Sequence, residues 1–217
     1  MSRARDEQEM RNGVEVMRWI EHLTAHPEVA IDLDVICHFN RLILRGTERD
    51  YWAGRLRAVV DWQKPEEWGR PRAMVAADEA GLAVVNPQTG DLIVAFPPDS
   101  EVEPMLDVLL QWLASLEAAL EDPVVRAAIF HQQFTRIHPF RDGNGRTARA
   151  LMTLMLRREG FALELLVMQR LLDERREAYI AALRDADRGD LTRWLEFFTA
   201  TLADAITETV RLTKPSH

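Results

Sequence analysis

The stretch His138-Pro139-Phe140-Arg141-Asp142-Gly143-Asn144-Gly145-Arg146-Thr147-Ala148-Arg149 concentrates residue types that can do chemistry. Pro139 disfavours helical geometry at His138, so a helix should end there. Two glycines then turn the chain into a new helix. The start of that helix presents free backbone N–H groups and the positive end of its dipole, a ready anion site. Gly143 and Gly145 let backbone amides approach a phosphate closely, and Asn144 adds a side-chain amide donor. Arg146 and Arg149 lie three apart on one helix face, and the guanidinium fork matches phosphate oxygens. Asp142 offers the single hard carboxylate that usually holds Mg2+ beside phosphates. His138, with an ordinary pKa, is suited to act as a general base near neutral pH. Together these parts could hold a polyphosphate, offset its charge and activate an incoming hydroxyl, which is phosphoryl-type transfer. Asp-Gly and Asn-Gly are also plain turn formers. That reading explains the loop but not the flanking histidine and paired arginines.

The elements needed to position this stretch are mostly helical. Apolar spacing predicts helices over 8–24 and 32–45, the second stopped by Gly46. Residues 47–81 read as irregular. Residues 82–85 and 92–96 flank a turn-rich linker at 86–91 and read as a β-hairpin ended by Pro97-Pro98. Pro104 opens a helix in which Met105, Leu109, Trp112, Leu116 and Leu120 form one buried stripe. Asp122-Pro123 caps the helix that delivers His138. Further helices are expected over 145–159, 171–186 and 190–212, the last burying Leu191, Trp194, Phe198, Leu202 and Ala205. The fold class is therefore all-α with one small β-hairpin. Residues 1–31 form an N-terminal helical extension, 32–212 one domain, and 213–217 a frayed tail.

Composition narrows the function classes. The chain has 217 residues, a net charge of -8 and one cysteine, Cys37. An acidic balance argues against general nucleic-acid binding. A local cluster of Arg136, Arg141, Arg146, Arg149, Arg157 and Arg158 suits a small anionic ligand instead. No internal disulfide can form, no signal peptide is evident, and no apolar run is long enough to span a bilayer. The expected setting is the cytoplasm, with no membrane partner. A homo-oligomer is compatible with the sequence.

The stretch resembles the signature of the Fic family, His-Pro-Phe-x-Asp/Glu-Gly-Asn-Gly-Arg with a second arginine three residues later, at every specified position. Gly54-Arg55-Leu56-Arg57, the hairpin with Phe96-Pro97-Pro98, and Arg188-Gly189-Asp190-Leu191 before an aromatic helix resemble further family elements. The resemblance covers roughly 32–212. It implies a helical fold with a hairpin flap and transfer of AMP from ATP to a Ser, Thr or Tyr hydroxyl of a target protein. By the same resemblance, His138 is the base and Asp142 the Mg2+ ligand. Gly143, Asn144 and Gly145 cradle the α-phosphate, and Arg146 and Arg149 clamp the outer phosphates. Phe140 anchors the loop. Leu92, Ile93 and Val94 dock an extended target segment by strand addition.

Other readings stay open at this level. UMP or phosphate transfer, removal of AMP, and a catalytically silent nucleotide-binding module are alternatives. The phosphotransferase variant carries Lys where Gly145 stands. Arg157 and Arg158 read as a solvated face, His131 as a satisfied core residue, and Arg55 and Arg57 as structural ties. Tyr179 reads equally as a packing residue or an adenine platform. Many family members carry an inhibitory Ser/Thr-x-x-x-Glu-Gly/Asn helix. The near matches here end in Glu28 and Glu196, and Pro27 would break the first. Inhibition is therefore expected from a separate partner protein.

Overall fold

Helix formation follows the apolar periodicity, and the turns follow local capping chemistry. The computed structural model describes residues 3–57, 74–77, 81–85, 92–162 and 164–214. Helix α1 spans Arg3–Ala25 and α2 spans Leu33–Leu44, where Asp32 accepts from the Val35 amide at 2.9 Å as N-cap. A 3-10 turn at Asp50–Trp52 follows. Strands β1 (Met74–Ala77), β2 (Gly81–Val85) and β3 (Leu92–Ala95) form an antiparallel sheet in the order β1-β2-β3. In the β2–β3 pairing Val84 faces Val94, with a register shift between Val84 and Val85. The linker expected over 86–91 lies outside the described residues. The helices α3 (Val102–Leu113), α4 (Leu116–Leu120), α5 (Pro123–Ile137), α6 (Asn144–Arg158), α7 (Glu164–Glu174), α8 (Arg176–Asp187) and α9 (Thr192–Thr213) complete the chain.

The core is built around α5 and α6, which pack on each other. α1 and α2 cover one side of α6, while α3, α8 and α9 lie against α5. Phe39, Phe130, Phe134, Phe140, Leu151, Trp194 and Phe198 are fully buried in it. The Trp194 indole N–H donates to the Ala128 carbonyl at 2.8 Å, so burial of that ring leaves no orphan donor. Val16, Ile20 and Leu23 carry α1 into the same core. None of the described helices is long and apolar enough to cross a membrane.

Several boundaries differ from the sequence reading. The stripe from Met105 to Leu120 is cut at Ser115, whose Oγ accepts from the Ala118 amide and donates to the Trp112 carbonyl, starting α4. That break turns Leu116 and Leu120 outward, 83% and 87% exposed. The helix expected over 171–186 is instead two, α7 and α8, meeting at Arg175 without a side-chain cap. Packing drives this break, because both helices lie against α9. A third strand, β1, arises within the stretch read as irregular, and α1 starts five residues earlier than the apolar pattern suggests, at Arg3.

Candidate active site

Asp122 caps α5 by accepting from the Val124 and Val125 amides, with Pro123 in the first turn. The helix ends at His138, which adopts φ 52, ψ 57, the one non-glycine residue with positive φ among the described residues. An L-residue in that region costs about 1–2 kcal/mol, so surrounding contacts must hold it. They do. The His138 amide donates to the Phe134 carbonyl at 3.1 Å, the Arg57 amide donates to the Pro139 carbonyl at 2.8 Å, and Phe140 pairs with Leu56 in an isolated β-bridge. The Phe140 ring is fully buried near Phe134.

The glycine loop has a division of labour. Gly143 has φ +82, and a Cβ there would stand 2.9 Å from Asn40 Nδ2, so the fold itself demands glycine. Gly145 differs, because a Cβ there would meet only Arg149 Nη1, at 3.9 Å. Among the described residues nothing requires its smallness, which leaves room for a ligand against the backbone. No side chain caps the start of α6. The Asn144 side chain, expected to face a phosphate, is turned inward and 3% exposed. Its Oδ1 accepts from the Phe140 amide at 2.9 Å and its Nδ2 donates to the Phe140 carbonyl at 2.7 Å. Asn144 therefore shapes the loop, and only its backbone can serve a phosphate.

Around this loop the charges are partly paired. Asp142 Oδ1 accepts from the Gly143 amide at 2.6 Å and from Arg146 Nη2 at 3.4 Å. Its Oδ2 lies 3.9 Å from Arg49 Nε. The carboxylate is about one-third exposed, and no group of three His, Cys, Asp or Glu side chains able to hold a metal occurs among the described residues. A lone accessible carboxylate fits Mg2+ that takes its other ligands from phosphates and water. Arg149, half-buried, makes no ion pair among the described residues. Arg146 and Arg149 both border a cavity of about 370 Å³ between α1, α6 and α7, which Glu9 of α1 also lines. Glu9 lies 3.9 Å from Arg146.

His138 departs from its expected ordinary pKa. Burial, partly opposed by the Thr135 carbonyl and reinforced by the Arg57 charge, pushes it down to about 3. The Phe96 ring stacks on the imidazole at 3.7 Å between centroids and 20° between planes. His138 is therefore neutral at physiological pH. Nδ1 lies 3.3 Å from the Thr135 carbonyl, a bond that assigns the proton to Nδ1 and leaves Nε2 as an acceptor.

The arginine cluster read from sequence is split by the fold. Arg141 is 6% exposed and pairs with Asp99 at 3.3 Å. Arg158, read as solvated, donates to the Leu23 carbonyl in the last turn of α1 and to the Val29 carbonyl beyond it, at 3.1 and 2.8 Å. Burial lowers its pKa, and Glu28 is the charge that raises it. Glu28 thus faces Arg158 at the far end of α6 from Arg149. His131 is buried, as expected, with Nε2 2.8 Å from the Tyr179 hydroxyl, and that bond assigns Tyr179 to packing. Leu92, Ile93 and Val94 lie on β3, apart from the loop in sequence, and β3 leads directly into Phe96.

Three residues escaped the sequence reading as parts of the site. Asn40, fully buried on α2, donates to the Asp142 carbonyl at 2.9 Å and accepts from the Gly54 amide at 2.9 Å. An asparagine among Ile36, Phe39 and Ile43 on an apolar helix face was the available signal. Asp99 carried none, and Phe96 was marked only as part of the element after the hairpin, since their partners lie about forty residues away.

Comparison with known proteins follows the same outline. A model of the Fic/DOC family matches residues 30–156. The protein adenylyltransferase fic-1 of Caenorhabditis briggsae is 38% identical over 100 residues, 46% of this chain and 18% of that protein. The protein adenylyltransferase Fic of Nematostella vectensis is 35% identical over 101 residues, 46% of this chain and 22% of that protein. Among solved structures, a Fic family protein from Desulfovibrio desulfuricans G20 superposes with a TM-score of 0.73 at 27% identity, covering 100% of this chain and 57% of that one. Fic-1 from C. elegans gives 0.65 at 25% identity, covering 96% of this chain and 52% of that one. The matches span about a fifth of the length of those curated relatives.

Proposed function

This chain belongs to the Fic/DOC family, and from that membership we propose that it transfers AMP from ATP, with Mg2+, to a Ser, Thr or Tyr hydroxyl of a target protein. The observation that carries this reading is the uncapped start of α6, with a glycine at 145 that no packing demands. Free amides at a helix N-terminus, Arg146 and Arg149 one turn on, Asp142 beside them and neutral His138 at the preceding helix end form one reaction geometry. The curated relatives named above are adenylyltransferases, which agrees with it.

In this mechanism the amides of Asn144 and Gly145 hold the α-phosphate, with that of Gly143 joining them only if Asp142 releases it, while Arg146 and Arg149 hold the outer phosphates. His138 Nε2 accepts the hydroxyl proton as the target oxygen bonds to the α-phosphorus. The bond from that phosphorus to the oxygen bridging the β-phosphate breaks, and pyrophosphate leaves. Mg2+ would be held by Asp142 and would supply charge compensation for the phosphates. Docking of the target falls to β3, an edge of the sheet among the described residues, where an extended segment would pair by strand addition. The Nε2 lone pair lies in the ring plane, so the hydroxyl can approach it with Phe96 still on the ring face, and phosphates bound nearby would raise the basicity of His138. A separate inhibitory protein belongs to the same proposal. The cavity beside Arg146 and Arg149 is the surface it would use, and Glu28 lies at the wrong end of α6 to act in its place.

The test is incubation of the chain with cell lysate, Mg2+ and ATP labelled either at the α- or at the γ-phosphate. The expected result is α-label on a protein band that disappears with His138→Ala. Label from γ alone would replace AMP transfer with phosphate transfer. Absence of label from either would refute the activity for this chain.

A further inference from the structure

We propose that Arg57 is the positioning residue of this site: its buried guanidinium ties the backbone of His138 to the segment leaving β3, holding the imidazole and its Phe96 cover in a single arrangement. The inference rests on the reading of His138 as the base.

The geometry begins with a general deficit. The last carbonyls of a helix have no partner within it and must find one elsewhere. At the end of α5 the Phe134 carbonyl is taken by the His138 amide and the Thr135 carbonyl by the His138 ring. The carbonyls of Ile137 and His138 fall to Arg57. Its Nε donates to the His138 carbonyl at 2.8 Å and its Nη2 to the Ile137 carbonyl at 3.3 Å. Its own amide donates to the Pro139 carbonyl at 2.8 Å. Three consecutive carbonyls around the left-handed residue are thus fixed by one arginine. A cation at a helix C-terminus also meets the negative end of the dipole.

The same guanidinium reaches across to the other half of the stack. Nη2 donates to the Pro97 carbonyl, one residue beyond Phe96, and Nη1 donates to Asp99. Asp99 in turn accepts from Arg141, one residue beyond Phe140. Arg57, Asp99 and Arg141 therefore close a ring of contacts beneath the turn. Arg57 is 0% exposed, so no water can replace it there. Only a planar, multi-donor cation can meet carbonyls on both sides at once. A lysine offers a point charge and no fork. The net positive charge of this cluster also opposes a proton on His138, which keeps Nε2 free to accept one.

The experiment reads the His138 ring directly, by imidazole nitrogen NMR of the full chain labelled in histidine, with signals assigned by His138→Ala. In the wild-type chain the spectrum should show one tautomer, protonated at Nδ1 and unchanged down to about pH 5. In Arg57→Lys the expected result is a mixture of tautomers and a titration moved toward the usual histidine range. In the AMP-transfer assay kcat should drop by about tenfold or more, while KM for ATP changes less than about twofold. Ile20→Val, a core change on α1, should leave the His138 signals where they are. If Arg57→Lys folds and both signals and kcat match wild type, the inference is overturned. If it does not fold, Asp99→Asn, which loosens Arg57 without removing it, is read in the same way and overturns the inference if the ring signals are unmoved. A ring that responds in a chain that transfers no AMP would refute the activity and leave the placement of Arg57 standing.

Discussion

His131 should make the protein acid-sensitive by an amount that the structure fixes. The residue is fully buried, with its ring 5.4 Å from the Trp194 ring and nearly parallel to it. Burial, helped by the nearby Arg149 charge, pushes its pKa down to about 3. In the unfolded chain the ordinary value is about 6.5. The unfolded state therefore binds a proton that the folded state refuses. Stability is full above about pH 6.5 and falls as pH drops from there toward about 3. At about pH 5 the unfolded histidine is protonated about thirtyfold in excess, which corresponds to ~2 kcal/mol lost per such residue. The folded form stays neutral at this pH, so the unfolded value alone sets that figure. The perturbation is His131→Phe, which keeps the ring against Trp194. It orphans the Tyr179 hydroxyl at a pH-independent cost of about 1–3 kcal/mol. Urea unfolding at about pH 7.5 and about pH 5 separates the two effects. Wild type should lose ~2 kcal/mol more than the variant between the two conditions, because the contribution of His138 is common to both. Parallel losses in the two proteins would refute the assignment of His131 as a buried neutral group.

Two further outcomes follow from the loop. Asn144→Ala removes both bonds to the Phe140 backbone and leaves a buried amide and carbonyl unpaired, so thermal unfolding should show a loss of about 2–4 kcal/mol together with lost transfer activity. Gly143→Ala and Gly145→Ala should separate cleanly. The first forces a side chain into φ +82 and against Asn40, lowering stability by about 1–3 kcal/mol, while the second should leave the melting temperature nearly unchanged and weaken nucleotide binding measured by calorimetry.

How far the sequence exposes this site depends on how local each interaction is. Caps and turns are read over two to four residues, so Asp122, Pro123, Gly143 and the end of α5 at His138 are legible. The same short range explains Ser115, which was passed over only because the leucine pattern continued through it. By contrast, Asn40 meets Asp142 across 102 positions and Arg57 meets Asp99 across 42. No spacing rule reaches that far. The family-like element Gly54-Arg55-Leu56-Arg57 marks Arg57 as notable, but its partners are visible only once β3 and α3 are folded against the turn. Asn144 shows the opposite failure. Its residue type suits both a phosphate donor and a backbone clasp, and position in the loop decides for the clasp.

The arginines of the motif region settle how much side-chain charge a phosphate chain can meet. Arg141 and Arg57 are buried and share Asp99, and Arg158 is spent on carbonyls at and beyond the end of α1. Arg146 is only loosely engaged by Asp142 and Glu9, at 3.4 and 3.9 Å, and Arg149 has no ionic partner among the described residues. An outer phosphate in the cavity between α1, α6 and α7 would meet Arg149 and Arg146, the latter only after it releases two carboxylates, with Arg157 on the same cavity wall. Asp142 gives up Arg146 most easily when a cation takes its place, and Mg2+ is such a cation. On the proposed reading metal and nucleotide should therefore bind cooperatively, because an ion held by Asp142 would free Arg146 to turn to the phosphates.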